Sequence, residues 1–142
     1  MKTKLIALFA SVIFLAAACK KENETVREKL TNKNWRITRG GIDANGNGVP
    51  DGTEIQAADS SLLATGMLND NGSGSVTFST NDTSGTAPFT WTLDASNTYI
   101  NISIPVLSSN TVSKILSINS TNLSVIVDTS ASTKLFAYFE KL

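Results

Sequence analysis

Histidine is absent from the 142-residue sequence, and Cys19 is its single cysteine. Without histidine, neither a Ser–His or Cys–His nucleophile pair nor a histidine-based zinc site can form. With one cysteine, the chain cannot form an internal disulfide or a thiolate zinc cluster. The sequence also has no Gly-rich phosphate loop followed by Lys and Ser or Thr. We therefore expect a protein that is not an enzyme.

Lysine and arginine are absent between Arg39 and Lys114, whereas seven aspartates and glutamates lie in that stretch. Nucleic acid binding needs a basic face that pairs with phosphates. Because the middle of this chain is acidic, we expect no nucleic acid partner.

The N-terminal residues are typical of an export signal. Lys2 and Lys4 precede an apolar run, which ends in three alanines before Cys19. This order of charged, apolar and small residues predicts a signal peptide with a signal helix over residues 1–18. A transmembrane helix is the alternative, but it needs roughly 20 apolar residues.

The letters LAAAC at residues 15–19 resemble the lipobox of bacterial lipoproteins. The resemblance implies cleavage before Cys19 and acyl chains on that residue, and two or more such chains anchor a protein stably. A free cysteine after an ordinary signal peptide is the alternative. We expect a lipid-anchored protein of the bacterial cell envelope, at the outer membrane. Residues 19–29 would then be the lipidated cysteine and a charged tether, since KKENETVREK has little apolar content.

Polar and apolar residues alternate along most of the sequence after residue 30, which is typical of half-buried strands. In PFTWTLD, for example, Phe89, Trp91 and Leu93 share one face. Eight segments are predicted as strands: Asn34–Arg39, Leu62–Leu68, Ser75–Thr80, Pro88–Asp94, Thr98–Ile104, Val112–Ile118, Leu123–Asp128 and Lys134–Lys141.

The connections between these strands are short and polar: NDNGSG, DASN, NSTN and TSAS. Serial hairpins predict an all-β, antiparallel up-and-down meander, and about eight such strands close most simply into a small barrel. Such a barrel is filled by side chains or holds one small ligand. For the second of these strands the alternative is a short helix in TEIQAADSSLL, residues 53–63, with Thr53 as its N-cap.

Three stretches resemble the lipocalin-like domain lipoproteins of Bacteroidetes-type bacteria. LTNKNWRITR resembles their opening Leu-x-x-x-x-Trp-x-Ile strand, with Leu30, Trp35 and Ile37 in place. NDNGSGSVTF with FTWTLDASNTYINI resembles their hairpin and Trp strand, and ILSINSTNLSVIV with KLFAYFEKL resembles their closing strands. The resemblance covers residues 30–142 and implies a lipocalin-like barrel without a known activity. Lipocalins proper bind small apolar molecules in the barrel.

Residues 43–54 read DANGNGVPDGTE and match the spacing of a calcium loop. An EF-hand loop supplies oxygens from positions 1, 3, 5, 7, 9 and 12 and has Gly at position 6. Gly48 stands at position 6 here, and the predicted ligands in order are Asp43, Asn45, Asn47, the Val49 carbonyl, Asp51 and Glu54.

A predicted strand precedes this loop, and Pro50 interrupts it, so it resembles the isolated calcium loops of dockerin-type and thrombospondin type-3 repeats more than an EF-hand. Two Asn in place of Asp predict weak binding, on the order of 10⁻⁴–10⁻³ M, as for a structural ion. A plain Gly/Asn-rich hairpin loop is the alternative.

Aromatic side chains are the candidates for a ligand pocket: Trp35, Phe78, Phe89, Trp91 and Tyr138. The first functional hypothesis is a binding module for a small apolar or glycan-like ligand. The second is a structural or interaction lipoprotein with a filled core, in a surface complex. The third is a calcium-dependent adhesion module.

Overall fold

The structure is a computed structural model that describes residues 24–58, 63–79, 83–128 and 133–142. The predicted signal peptide, Cys19 and the connection TSAS lie outside the described residues. Within the described ranges, no helix is both long enough and apolar enough to cross a membrane.

The described chain is almost entirely strand. One short helix, α1 (Val26–Leu30), comes first, and one 3₁₀ turn, Pro105–Leu107, lies between two strands. The strands are β1 (Asn34–Ile42), β2 (Ile55–Ala57), β3 (Leu63–Leu68), β4 (Ser73–Ser79), β5 (Ser84–Leu93), β6 (Tyr99–Ile104), β7 (Ser109–Ile118), β8 (Asn122–Asp128) and β9 (Lys134–Lys141).

The strands form a closed antiparallel barrel with eight positions around it. Each strand from β3 to β9 pairs with the next, and β9 returns to pair with β1 from Trp35↔Lys141 to Ile42↔Leu135. The other edge of β1 is shared, because β3 pairs with residues 34–36 and β2 with residues 39–41. The predicted all-β up-and-down barrel of about eight strands is confirmed. Closure leaves its main strands without free edges.

The predicted strand positions agree with the structure, although several strands are longer. β5 begins at Ser84 instead of Pro88, and β7 begins at Ser109 instead of Val112. The alternative helix after Thr53 is wrong over the described residues, since a turn at 52–54 leads into β2.

The barrel has two distinct ends. At the helix end, β1 and β6 begin and β5 ends at Leu93. At the loop end, β1 stops at Ile42 and β6 at Ile104. At the helix end, Leu30, Trp35 and Trp91 are at most 2% exposed.

Helix α1 covers the last residues of the segment predicted as a charged tether, 19–29, and ends at Leu30, the first residue of the predicted barrel domain. Thr25 and Glu28 form a capping box: the Thr25 hydroxyl accepts from the N–H of Glu28, and the Glu28 carboxylate accepts from the N–H of Thr25. This backbone hydrogen bond lowers the pKa of Glu28. The sequence signal was Thr-x-x-Glu before an apolar position.

The helix closes its end of the barrel through Leu30 and Arg27. Leu30 is fully buried, and its carbonyl accepts from the indole N–H of Trp35 at 2.9 Å. The Arg27 guanidinium lies 4.7 Å from the centre of the Trp91 ring, and its Nη1 donates to the carbonyl of Asp70 at 2.9 Å. Trp91 itself donates to the carbonyls of Asn69 and Ser73. Both indoles are therefore buried with their N–H groups bonded, as buried polar groups require.

Candidate ligand cavity and the loop of residues 43 to 54

A cavity of about 270 Å³ lies inside the barrel, beyond the packed helix end. Its size is just below the range usual for small-molecule sites. The surrounding residues come from β1 and from β3 to β9: Trp35, Ala64, Thr65, Gly66, Leu68, Val76, Phe89, Ile100, Ile102, Ile104, Thr111, Ser113, Leu123, Val125, Val127 and Phe139.

The strand register explains why these residues meet. Gly66 lies opposite both Trp35 and Val76, and Ile100 lies opposite Ser113. Because side chains alternate between the two faces of a strand, every second residue of each strand points into the barrel.

Two glycines shape the cavity in opposite ways. A Cβ on Gly74 would stand 2.2 Å from Cε2 of Phe89 and 2.7 Å from the Met67 carbonyl oxygen, so the Phe89 ring fills the space that a side chain would take. A Cβ on Gly66 would find its nearest atom, the Ser75 carbonyl oxygen, at 3.8 Å. Gly66 therefore leaves open the space opposite Trp35, and part of the cavity volume depends on that missing side chain.

Two hydroxyl-bearing residues of β7 break the apolar lining. Thr111 lies opposite Ile102, and Ser113, which is buried, lies opposite Ile100 and Val127, all of them inward positions. Thr65 also borders the cavity, but it pairs with the outward Thr77. Its side chain therefore lies on the outer face of β3 and, unlike those of Thr111 and Ser113, does not point into the barrel. A small number of polar groups in an apolar pocket is the usual way in which a site fixes the orientation of its ligand.

The structure brings two of the five predicted pocket aromatics to the cavity, Trp35 and Phe89. Trp91 lies below them in the helix end under Arg27 and does not line the cavity. Phe78 is 38% exposed and packs against Gly85.

Tyr138, also predicted as a pocket residue, does not line this cavity. It lies on the outer face with Arg39, whose guanidinium is 4.8 Å from the ring centre. The reason is the phase of β9, since Phe139 takes the inward position.

The predicted strand Thr98–Ile104 contains Ile100, Ile102 and Ile104, but the sequence did not mark them as cavity residues. Nor did it mark Thr111 and Ser113. The pattern TVSKILSI gives no clear phase, because apolar residues occur at both odd and even positions. Only pairing with β6 shows that Ser113 points inward while Val112 is exposed.

The loop of residues 43–54 connects β1 to β2, and these strands hold its ends together. Gly41 pairs with Ile55, and a Cβ on Gly41 would stand 1.8 Å from the Glu54 carbonyl oxygen, so only glycine permits this approach. Glu54 Oε1 accepts from the N–H groups of Ala44 at 3.0 Å and Asn45 at 3.3 Å.

Side chains within the loop accept hydrogen bonds from its backbone. Asn45 Oδ1 accepts from the N–H of Asn47 at 2.9 Å, and Asn47 Oδ1 from Val49 at 2.7 Å. Asp51 Oδ1 accepts from the hydroxyl and N–H of Thr53, and these bonds lower the pKa of Asp51. Asp51 is therefore charged at neutral pH.

Asp43 is the buried carboxylate of the loop, at 8% exposure. Its Oδ2 accepts from the N–H of Gly48 at 2.9 Å, but its Oδ1 is buried and has no hydrogen-bond partner in the described structure. Across the described residues, no three His, Cys, Asp or Glu side chains form a metal-binding group. The calcium site stays a prediction.

Comparison with solved structures finds proteins with a similar barrel fold. Bovine odorant-binding protein in complex with a selenium-containing odorant matches with a TM-score of 0.50 at 18% identity, covering 87% of this chain and 76% of the bovine chain. The same protein with undecanal matches with a TM-score of 0.50 at 17% identity, over 87% and 77% of the two chains. The fold is that of the lipocalins.

The bovine lipocalin allergen Bos d 2 also matches, with a TM-score of 0.49 at 16% identity over 80% of this chain and 73% of its own. No protein-family model matches the chain, and no curated protein matches it either. At these identities the likeness concerns the lipocalin fold alone.

Proposed function

We propose that this protein is a lipid-anchored, lipocalin-like binding module that is not an enzyme and holds one small apolar molecule inside its barrel. The anchor is a covalent lipid on Cys19, and the location is the outer membrane of a bacterial cell envelope. The observation that supports the binding role is the cavity of about 270 Å³ with an almost wholly apolar lining.

The lining favours a ligand with an apolar body and one polar group. Its apolar walls would desolvate a hydrocarbon chain, which contributes about 0.8 kcal/mol per buried CH₂ group. Thr111 and Ser113 are the inward-facing hydroxyl-bearing residues of the lining. They suit a single carbonyl or hydroxyl on the ligand. A glycan-like ligand fits less well, because buried sugar hydroxyls need many hydrogen-bond partners.

The undecanal bound by the bovine odorant-binding protein has this chemistry and serves as a probe. The second hypothesis, an interaction lipoprotein with a filled core, agrees less well with an interior that leaves space opposite Trp35.

Undecanal titration of the full chain in detergent, followed by the quenching of tryptophan fluorescence, tests the binding role. We expect saturable binding to one site, since Trp35 lines the cavity. In Gly66→Val the new side chain occupies the open space, and affinity should fall at least tenfold. The matched control is Thr92→Val, which changes an exposed residue of β5 and should bind like the wild type. Equal binding by wild type and Gly66→Val would exclude the cavity as the site.

The anchor is tested separately by metabolic labelling with a radioactive fatty acid in a bacterial host. The wild type should incorporate the label and fractionate with the outer membrane, whereas Cys19→Ser should do neither. Labelling that persists in Cys19→Ser would contradict the assignment of the anchor.

A further inference from the structure

Asp43 presents an electrostatic problem that the described protein atoms do not solve. Moving a carboxylate out of water is costly unless hydrogen bonds or an opposite charge compensate it. One oxygen of Asp43 receives the N–H of Gly48, but Oδ1 is buried without a hydrogen-bond partner in the described structure. An oxygen in this state lacks a cation or another donor.

The oxygens around Asp43 are suited to one class of cation. The loop carries three carboxylates and no lysine or arginine, and its other oxygens are amide and carbonyl groups and the hydroxyl of Thr53. Hard oxygen donors in a mixed set of carboxylate, amide and carbonyl groups are what Ca²⁺ prefers, in a flexible shell of six to eight ligands. Mg²⁺ demands near-ideal octahedral geometry and keeps several of its waters.

The loop is also folded in the way that such a site requires. Gly46 and Gly48 have positive φ angles of 72° and 69°, which let the chain curl around the centre of the loop. The Asn45 and Asn47 side chains each bond the N–H two residues later, leaving lone pairs of their oxygens available. The pairing of Gly41 with Ile55 keeps the first and last positions of the loop adjacent.

We propose that residues 43–54 bind one calcium ion, with Asp43 Oδ1 as a ligand and with oxygens from Asn45, Asn47, Val49, Asp51 and Glu54. The Glu54 carboxylate accepts hydrogen bonds from Ala44 and Asn45 in this structure. It must leave those amides to reach the ion, which explains why three acidic groups are not already gathered.

The same arrangement sets the strength of binding. Glu54 loses hydrogen bonds when it moves, and the Nζ of Lys134 lies 4.0 Å from the position of a Cβ on Gly48. That ammonium is a positive charge beside the loop and opposes the cation. We expect a dissociation constant on the order of 10⁻⁴–10⁻³ M.

Calcium titration of the ¹⁵N-labelled full chain in detergent, followed by amide chemical shifts, tests the proposal. Saturable shifts should be confined to residues 43–54, with the N–H of Gly48 among them, and Mg²⁺ at the same concentration should not reproduce them. These amide shifts report on the loop and not on the cavity. The calcium proposal can therefore fail while undecanal still binds, and undecanal binding can fail while calcium still binds.

Two isosteric variants decide the result. Asp43→Asn keeps the size of the side chain and an acceptor for Gly48 but removes the charge, and it should weaken calcium binding at least tenfold. Asp94→Asn is the matched control, because Asp94 also accepts backbone N–H bonds in a turn, at the helix end. It should bind calcium like the wild type. Unchanged binding by Asp43→Asn, or no saturable shift in the wild type up to about ten times the expected constant, would overturn the proposal.

Discussion

At the helix end of the barrel, the buried polar groups are bonded: the indole of Trp35 to Leu30, and that of Trp91 to Asn69 and Ser73. Beyond this layer the interior opens into a cavity, and at the loop end the buried Asp43 keeps an oxygen without a hydrogen-bond partner in the described structure. The first region contributes stability through complete packing. The second region leaves an open cavity and a buried carboxylate oxygen without a hydrogen-bond partner. A small ligand could occupy the cavity, and a cation could bind the oxygen.

Truncation of Trp91 should have the largest effect on the helix end. Trp91→Ala removes a buried ring and two hydrogen bonds, and we expect it to lower the free energy of unfolding by about 3–5 kcal/mol. Urea unfolding measures the change. The control is Val106→Ala, at a residue that is 65% exposed, which should change stability by less than about 0.5 kcal/mol. Similar values for the two variants would mean that the helix end is not the stable part of the fold.

Gly74→Ala tests whether the Phe89 ring packs directly over Gly74. Its Cβ would overlap the Phe89 ring and approach the Met67 carbonyl, so we expect a loss of about 1–3 kcal/mol from overpacking. Gly52→Ala is the matched control, because a Cβ there meets nothing within 4 Å. If Gly74→Ala were as stable as the wild type, the Phe89 ring could not stand where the structure has it.

Arg27→Ala removes the cation that covers Trp91 and the contact with the Asp70 carbonyl. Because the Arg27 side chain is 42% exposed, we expect a loss of only about 0.5–1 kcal/mol, measured by urea unfolding. Arg27→Lys keeps the charge but not the planar group, and its loss should be smaller. If Arg27→Ala has the same free energy of unfolding as the wild type, Leu30 alone holds α1 against the barrel.

The smallest predicted effects come from two aspartates, Asp94 at the helix end and Asp43 at the loop end. Hydrogen bonds from Ser96, Tyr99 and Thr98 lower the pKa of Asp94 from 3.8 to about 2. A folded-state pKa below the unfolded one contributes stability above about pH 4, and that contribution is lost as the pH falls toward 2. Asp94→Asn should therefore lower the melting temperature at pH 7, and the difference from the wild type should shrink over this pH range.

Asp43→Asn without calcium should behave differently, because it removes a buried charge that has an unpaired oxygen. We expect its melting temperature at pH 7 to equal or exceed that of the wild type. A loss as large as that of Asp94→Asn would show that the Asp43 charge is already compensated.

The fold was predictable from the sequence because it depends on alternation and on short turns, which are local signals. The cavity was only partly predictable. Trp35 and Phe89 could be named from strand phase, but Ser113 and Tyr138 could not, since their faces are decided by pairing with neighbouring strands. Helix α1 carried a local signal, the Thr25–Glu28 capping box, which the charge of the surrounding segment obscured. The space opposite Trp35 depends on the absence of a side chain at Gly66. The sequence does not show this role, because only the pairing of β3 with β1 places Gly66 opposite Trp35.

The most direct test of the central claim is where a bound molecule lies. Intermolecular nuclear Overhauser effects between undecanal and the methyl groups of the labelled chain would locate it. The account predicts contacts with the inward methyl groups of Ile102 and Val125, and none with Val112 on the outer face. Contacts confined to the outer face, or no bound undecanal at saturating concentration, would contradict the claim that the barrel is a ligand-binding module.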